Sequence, residues 1–369
     1  MGTHQKHPPL KRSSIGSYHK CEWAIYGSDC ASIAMLFNSI KKRLSNEFQL
    51  LYVDADHQNE SSSTLLQTSE KQFHHNEGLK WNSYDEKLLN WPVDCVFVNG
   101  NHYPADRQIV IVDSKKKSSL EKRLPQLTQV DLVLLKSEDE QVYEFLKDRI
   151  LDTVPIINIK SKSAIIDWIR FKILHATPLL KALILAGGES KRMQEDKSQI
   201  SYHSNINHVK YLADIATSLG LQTYISKSHD YPQNDFEDYP VVKDKFVKMG
   251  PFGAIASAFM EDPDSAYLVL ACDLPFVNKE SLANLIRERN TSKFATSYKL
   301  RNNLFPEPLL TIYEPRIHQR MLSFLSLGYA CPRKVLINSE VKSVTLSDEM
   351  VAFNANTPID RDKVKDMLK

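Results

Sequence analysis

The residues best suited to chemistry lie in one stretch at mid-chain, Leu185-Ala-Gly-Gly-Glu-Ser-Lys-Arg-Met-Gln-Glu-Asp-Lys197. It follows on the apolar run Ala182-Leu-Ile-Leu-Ala186, which reads as a buried strand, and open parallel sheets place ligands at such strand ends. Gly187 and Gly188 carry no Cβ, so the backbone there can come close to a phosphate or a base. Their N–H groups can then turn inward as an anion nest. Arg192 and Lys197 would bring positive charge to a triphosphate, and Asp196 could fix their geometry or sit near a metal. For the glycine pair taken alone, a plain turn after a strand is the commoner reading.

Other candidates follow in the same half. Ala271-Cys-Asp-Leu-Pro275 ends a second apolar run, Tyr267–Ala271, with a carboxylate. An Asp at a strand end beside a triphosphate can hold Mg²⁺, a hard ion that takes few carboxylates plus phosphate oxygens. Read alone, Asp273 is equally a helix N-cap. Asp244 follows the strand-like Pro240-Val-Val242, and Lys248-Met-Gly-Pro-Phe-Gly-Ala254 has the form of a turn that opens a helix. Pro306-Glu-Pro-Leu309, Cys331-Pro-Arg-Lys334 and Phe353-Asn-Ala-Asn-Thr-Pro358 complete the set.

The first stretch resembles the L-A-G-G-x-S-x-R-M-G-x-D-K signature of molybdenum cofactor guanylyltransferases and their sugar-nucleotidyltransferase relatives. Gln194 stands where that signature has Gly, a departure that bears on the loop's path. The later segments match the family's C-D-x-P, G-P-x-x-G and N-x-N-T-P motifs in family order, from Leu183 to Asp360. The resemblance implies a nucleotidyltransferase fold of the nucleotide-diphospho-sugar transferase type. It implies nucleotide contacts from Leu185, Ala186, Gly187, Gly188, Lys197, Asp244 and Asp273, with Arg192 and Lys197 catalytic. Mg²⁺ would rest on Asp273 and Asn356, and Asn354, Arg333 and Lys334 would face the acceptor; for the last two, solvated charge is the alternative. The implied reaction is transfer of GMP from GTP to molybdopterin with release of pyrophosphate. Molybdoenzymes or their maturation chaperones would be partners downstream. Gly187-Gly188 favours guanine, because cytidylyl-using relatives more often carry Ala-Ala-Gly there. A cytidylyl- or sugar-phosphate nucleotidyltransferase of the same fold and a non-catalytic molybdoenzyme maturation scaffold stand as alternatives.

The elements that must position these residues repeat one grammar, an apolar β-branched run followed by a helical pattern. In the first half the runs are residues 22–27, 50–54, 94–98, 109–113, 131–135 and 155–159. Continuous rather than alternating apolarity indicates strands buried on both faces, as in a parallel sheet. Helices are expected over 34–44, 140–150 and 164–176, and a long loop over 57–81. The second half restarts at Ala182, continues at Gln222–Ser226 and Tyr267–Ala271, and is a different α/β domain, so the fold class is α/β with two Rossmann-like domains.

Gly27-Ser-Asp-Cys-Ala-Ser-Ile-Ala34 occupies the place of a P-loop between a strand and a helix. Only the first Gly of G-x-x-x-x-G-K-[ST] survives, and without the Lys and the hydroxyl for Mg²⁺ tight GTP binding is not expected. The surroundings resemble the molybdopterin-guanine dinucleotide biosynthesis adapter, a small GTP-binding protein. Tyr52-Val-Asp-Ala-Asp-His57 resembles its carboxylate-bearing strand end. Asp94-Cys-Val-Phe-Val-Asn-Gly100 resembles its D-x-x-x-x-E-G segment, with Asn99 in place of Glu. A decayed adapter is the reading, and an unrelated α/β domain the alternative.

At 369 residues the chain calls for two domains. The division expected is a tail over 1–20, an adapter-like domain over 21–176 and the nucleotidyltransferase over 177–369, broken at Thr177-Pro178. A net charge of +2 gives no basic stripe for nucleic acid, and no run reaches the ~18 apolar residues of a membrane span. The polar, basic N-terminus lacks the apolar core of a signal peptide, so a cytoplasmic protein is expected. Five widely spaced cysteines without C-x-x-C indicate neither a zinc site nor a disulfide framework.

Overall fold

The structure is a computed structural model that describes residues 11–55, 64–67, 72–74, 83–186, 200–203, 206–228, 236, 238–301, 303 and 305–368. It divides into two compact units, one of Ser14–Thr177 and one whose main part is Pro178–Lys369. Among the described residues no helix is long and apolar enough to cross a membrane.

The N-terminal unit is built on an eight-stranded sheet. In chain order it runs β1 (Glu22–Tyr26), α1 (Cys30–Leu44), β2 (Leu50–Ala55), β3 (Thr64–Gln67), β4 (Gln72–His74) and α2 (Ser83–Asn90). Then come β5 (Cys95–Asn99), β6 (Gln108–Val112), α3 (Lys117–Glu121), β7 (Val130–Leu135), β8 (Ile156–Asn158) and α4 (Lys162–His175). The spatial order is β4-β3-β2-β5-β1-β6-β7-β8. All pairings from β2 to β8 are parallel. On one face α1 and α4 bury Phe37, Ile40, Ile165 and Ile169 against Trp23, Ile25, Phe97 and Leu132. The other face buries Ala24, Tyr26, Val98, Val110 and Val133. Alternate residues of each strand thus meet separate cores, which is why the runs are continuously apolar.

Three expectations are corrected here. The segment 57–81 is not all loop, because β3 and β4 add an antiparallel hairpin to the sheet edge within it. Residues 140–150 hold a 3₁₀ turn, Glu144–Arg149, in place of an α-helix; Leu146 is its one buried residue, too little for an apolar stripe. Part of the expected tail is packed: the N–H groups of Ser17, Tyr18 and His19 donate to the buried Glu22 carboxylate at 2.7–3.0 Å.

The C-terminal unit begins with β9 (Leu180–Leu185), the short pair β10 (Ser201–His203) and β11 (Ile206–Asn207), α5 (His208–Ser218), β12 (Gln222–Lys227) and β13 (Val241–Lys243). It continues with α6 (Gly250–Glu261), β14 (Ala266–Ala271), α7 (Lys279–Arg287), β15 (Ala295–Lys299) and β16 (Leu310–Tyr313). Helices α8 (Ile317–Ser326) and α9 (Pro332–Ile337), strand β17 (Val341–Thr345) and helix α10 (Pro358–Met367) close it. Seven of these nine strands form one sheet in the order β13-β12-β9-β14-β16-β15-β17, and β10 and β11 pair apart from it. The sheet is mixed: β16 runs antiparallel to both β14 and β15. Val209 and Leu212 of α5 and Leu282 and Leu285 of α7 cover one face. Phe252 and Phe259 of α6 and Met321 of α8 cover the other.

Candidate active site

Four strands of the C-terminal unit end at one edge of its sheet. Ser226 pairs with Leu185, Leu185 with Ala271, and Lys227 with Lys243, so β13, β12, β9 and β14 stop level with one another. The residues that follow, Asp244, Ala186 and Asp273, therefore share that edge. The ends of β13 and β14 lie three strand spacings apart, roughly 14 Å. Asp244 and Asp273 can thus serve opposite ends of one elongated ligand but not one ion.

Leu185 and Ala186 are buried, and the Ala186 N–H donates to the Ser226 carbonyl at 3.1 Å. Gly187, Gly188, Arg192 and Lys197 lie outside the described residues. Asp244 is held from two sides. Its N–H donates to the Lys227 carbonyl, and its Oδ1 accepts from Ser226 Oγ, each at 2.9 Å. Burial pushes its carboxyl above the ordinary range, opposed by the Ser226 hydroxyl. The loop after Asp244 is pinned to α6, since the Lys245 N–H donates to Ser257 Oγ at 2.7 Å. This requires Gly253: a Cβ there would stand 2.3 Å from the Phe246 carbonyl oxygen. The G-P-x-x-G segment is thus, in part, a packing requirement that sets the position of Asp244. Lys248, just ahead of it, has φ +63°, a strained angle for a side-chain-bearing residue.

At the other end, the Ala355 N–H donates to the Asp273 carbonyl at 2.9 Å. That bond brings Asn354 and Asn356 to the loop of Asp273. Thr357 and Asp360 form a capping box at the start of α10, with Pro358 in the first turn, and the Asn356 N–H donates to Asp360 Oδ2 at 3.2 Å. The N-x-N-T-P pattern is therefore also a helix start, which fixes where the two asparagines stand. Asn354 Nδ2 donates to the Ala352 carbonyl at 3.1 Å.

Arg333 and Lys334 diverge. Arg333 Nη2 donates to Glu307 Oε1 at 2.7 Å, whereas Lys334 Nζ sits 4.6 Å from the Tyr329 ring centroid. The Glu307 side chain is 15% exposed. Burial raises its carboxyl, Arg333 opposes the shift, and the Asp273 charge adds to it. Glu307 and Arg333 thus belong to the Asp273 end, and Lys334 is not drawn there.

Sequence reasoning assigned no role to Glu307 or to Lys227. Glu307 was visible only as a Glu between prolines, and what makes it notable is burial beside Asp273. Lys227 closes β12, is 1% exposed, and has its Nζ 4.6 Å from the Phe236 ring centroid. A lysine as the last residue of a buried strand was its only signal.

The N-terminal unit ends its strands on a different set of groups. Gly27 has φ +89°, and a Cβ on it would lie 2.0 Å from the Ile111 carbonyl oxygen, so packing against β6 accounts for this glycine. Asp29 caps α1, accepting from Ser32 N–H at 2.8 Å and Ser32 Oγ at 2.9 Å. A carboxylate thus sits where a phosphate would meet the helix N-terminus. Asp54 accepts from Asn99 Nδ2 and from Tyr52 OH, each at 2.9 Å.

Residues 182–342 match the family described as the MobA-like NTP transferase domain. This part of the chain is a MobA-like NTP transferase domain. The C-terminal unit is accordingly a nucleotidyltransferase. The chain is 29% identical over 185 residues to a molybdenum cofactor biosynthesis bifunctional protein of Synechocystis, covering 50% of this chain and 53% of that protein. It thus spans about half the length of that relative. It is 27% identical over 191 residues to a probable molybdenum cofactor guanylyltransferase of Flavobacterium johnsoniae, covering 48% of this chain and 97% of the relative. A molybdenum cofactor guanylyltransferase of Campylobacter jejuni is 28% identical over 200 residues, 52% of this chain and 97% of the relative.

Proposed function

We propose that the C-terminal unit transfers GMP from GTP to molybdopterin. The observation that carries this reading is the level edge of β13, β12, β9 and β14, against which the Ala355–Asp273 bond holds the N-x-N-T-P segment. A phosphate oxygen of the acceptor attacks the α-phosphorus, the bond from that phosphorus to the bridging oxygen breaks, and pyrophosphate leaves. Asp244 and the backbone of Ala186 face the nucleoside end; Arg192 and Lys197 neutralise the phosphates. The protein's share is to hold the acceptor oxygen in line and to present fixed charge where charge develops.

Mg²⁺ fits the Asp273 end. One carboxylate, Asp273, with Asn356 next in the chain to the Ala355 that bonds its carbonyl, offers the sparse donor set this ion takes when phosphate oxygens complete its shell. Among the described residues no group of three or more His, Cys, Asp or Glu side chains is arranged to hold a metal. When bound, the ion offsets the negative charge of the phosphates. Asn354 and Arg333 stand on the acceptor side.

The N-terminal unit is an adapter-like domain that has lost its nucleotide, a reading supported by the Asp29 cap and the engaged Asp54. A cytoplasmic location and molybdoenzymes or their chaperones as partners belong to the same proposal.

The test is pyrophosphate release by the full chain with molybdopterin and GTP, CTP or ATP. GTP is expected to support the fastest release. CTP as the best substrate would move the protein to the cytidylyl branch. No release with any triphosphate would leave the non-catalytic scaffold.

A further inference from the structure

The N-terminal unit holds a cavity of about 370 Å³ between α1, α4 and the ends of β7 and β8, lined by Ser28, Lys136, Ile159 and residues of both helices. That volume is at the lower end of small-molecule sites. It opens at the C-terminal edge of a parallel sheet, where ligands of open α/β folds bind.

Its wall is apolar. Leu36 and Ile40 of α1 and Ile165 and Ile166 of α4 line it, and Met35 stands at its side 65% exposed. A nucleotide is disfavoured there. The helix N-terminus beside Ser28 already carries the Asp29 carboxylate, and Lys136 is bound to Asp113 at 2.5 Å. Positive charge remains at the opening, where Lys160 and Lys162 are exposed and form no ion pair among the described residues. An apolar wall with unneutralised ammonium groups at one end matches a ligand with an apolar chain and one anionic head.

We infer that this cavity binds a small amphipathic carboxylate, its chain between α1 and α4 and its head at Lys160 and Lys162. The site is separate from the transferase edge and does not depend on the GMP-transfer reading.

Calorimetric titration of the full chain with octanoate and with neutral octan-1-ol tests it. Octanoate is expected to bind one molecule per chain, and octan-1-ol several-fold more weakly. Reversing both charges, Lys160→Glu with Lys162→Glu, should weaken octanoate roughly tenfold and leave octan-1-ol unchanged. Ser39→Phe, which fills the space between the helices, should abolish binding of both. The charge-reversal pair lies on the surface and carries the test if the filled variant fails to fold. Equal affinity for acid and alcohol would overturn the inference. So would unchanged octanoate binding by either variant, no binding at millimolar concentration, or displacement of octanoate by GTP.

Discussion

Arg289→Met should unfold the C-terminal unit at markedly lower temperature. Arg289 grips Glu314 through two bonds, Nε to Oε1 at 2.7 Å and Nη2 to Oε2 at 2.8 Å, and Nη2 also donates to the Pro178 carbonyl at 2.9 Å. The side chains are 12% and 1% exposed, so this is a buried pair rather than a surface one. Removing the guanidinium strands a carboxylate that water cannot reach, which costs about 3–5 kcal/mol. For a unit of this size each kcal/mol lowers the melting temperature by about 2–4 °C, so a drop of roughly 6–20 °C is expected. Replacing both partners, Arg289→Met with Glu314→Leu, should recover much of the loss, because no charge is then left buried. Pro178 leads into β9, the strand that ends at Leu185, so pyrophosphate release should fail at lower temperature in step with unfolding. Scanning calorimetry of the full chain measures the transition. A loss below about 1 kcal/mol, or a double variant no better than the single one, would refute the reasoning.

Asp273→Asn should keep the wild-type melting temperature and lower guanylyl transfer roughly 100-fold or more at saturating Mg²⁺, read by pyrophosphate release. Asp244 has its carboxyl raised by burial, so its contribution to stability is full below the unfolded value and is lost as pH rises through the folded one. Asp244→Asn, which keeps an acceptor for Ser226 Oγ, should therefore gain on wild type in urea midpoints as pH rises above the ordinary carboxylate value of about 4. The same variant should bind GTP more weakly by calorimetry. A fragment of residues 1–176 should fold yet bind GTP at least ~100-fold more weakly than a working P-loop, for want of the charge-assisted lysine contact, and should not hydrolyse it. Residues 177–369 should retain transfer; loss of transfer by that fragment would show that the first half completes the site or supports its folding.

Much of this protein was legible in its residues. The strands at 22–26, 50–55, 108–112, 180–185 and 266–271 appear as runs because each is buried on both faces, and a run of that kind is a local property. The departure of residues 27–34 from the P-loop pattern is local too: the lysine is absent whatever the rest of the chain does. The motifs after Leu183 could be read in order, and their resemblance to a known family pointed to nucleotidyl transfer. The strand at 295–299 was missed because two of its buried residues, Thr296 and Ser297, are polar, and that at 341–345 because its residues are mostly solvent-facing, so no continuous apolar run marks either.

What tertiary structure decided is which distant residues meet. That β14 lies beside β9 and antiparallel to β16 depends on how two cores fill, not on any one segment. The segment of Asn354 and Asn356 lies at the loop of Asp273 because the Ala355 N–H bonds to the Asp273 carbonyl across the fold. Glu307 became notable through its burial beside Asp273 and Arg333, and Lys227 through enclosure at the end of β12. Residue types and short spacings carry the chemistry a chain can attempt, because they are covalent neighbours. Distance, burial and charge pairing between remote positions come from packing, which no local pattern encodes.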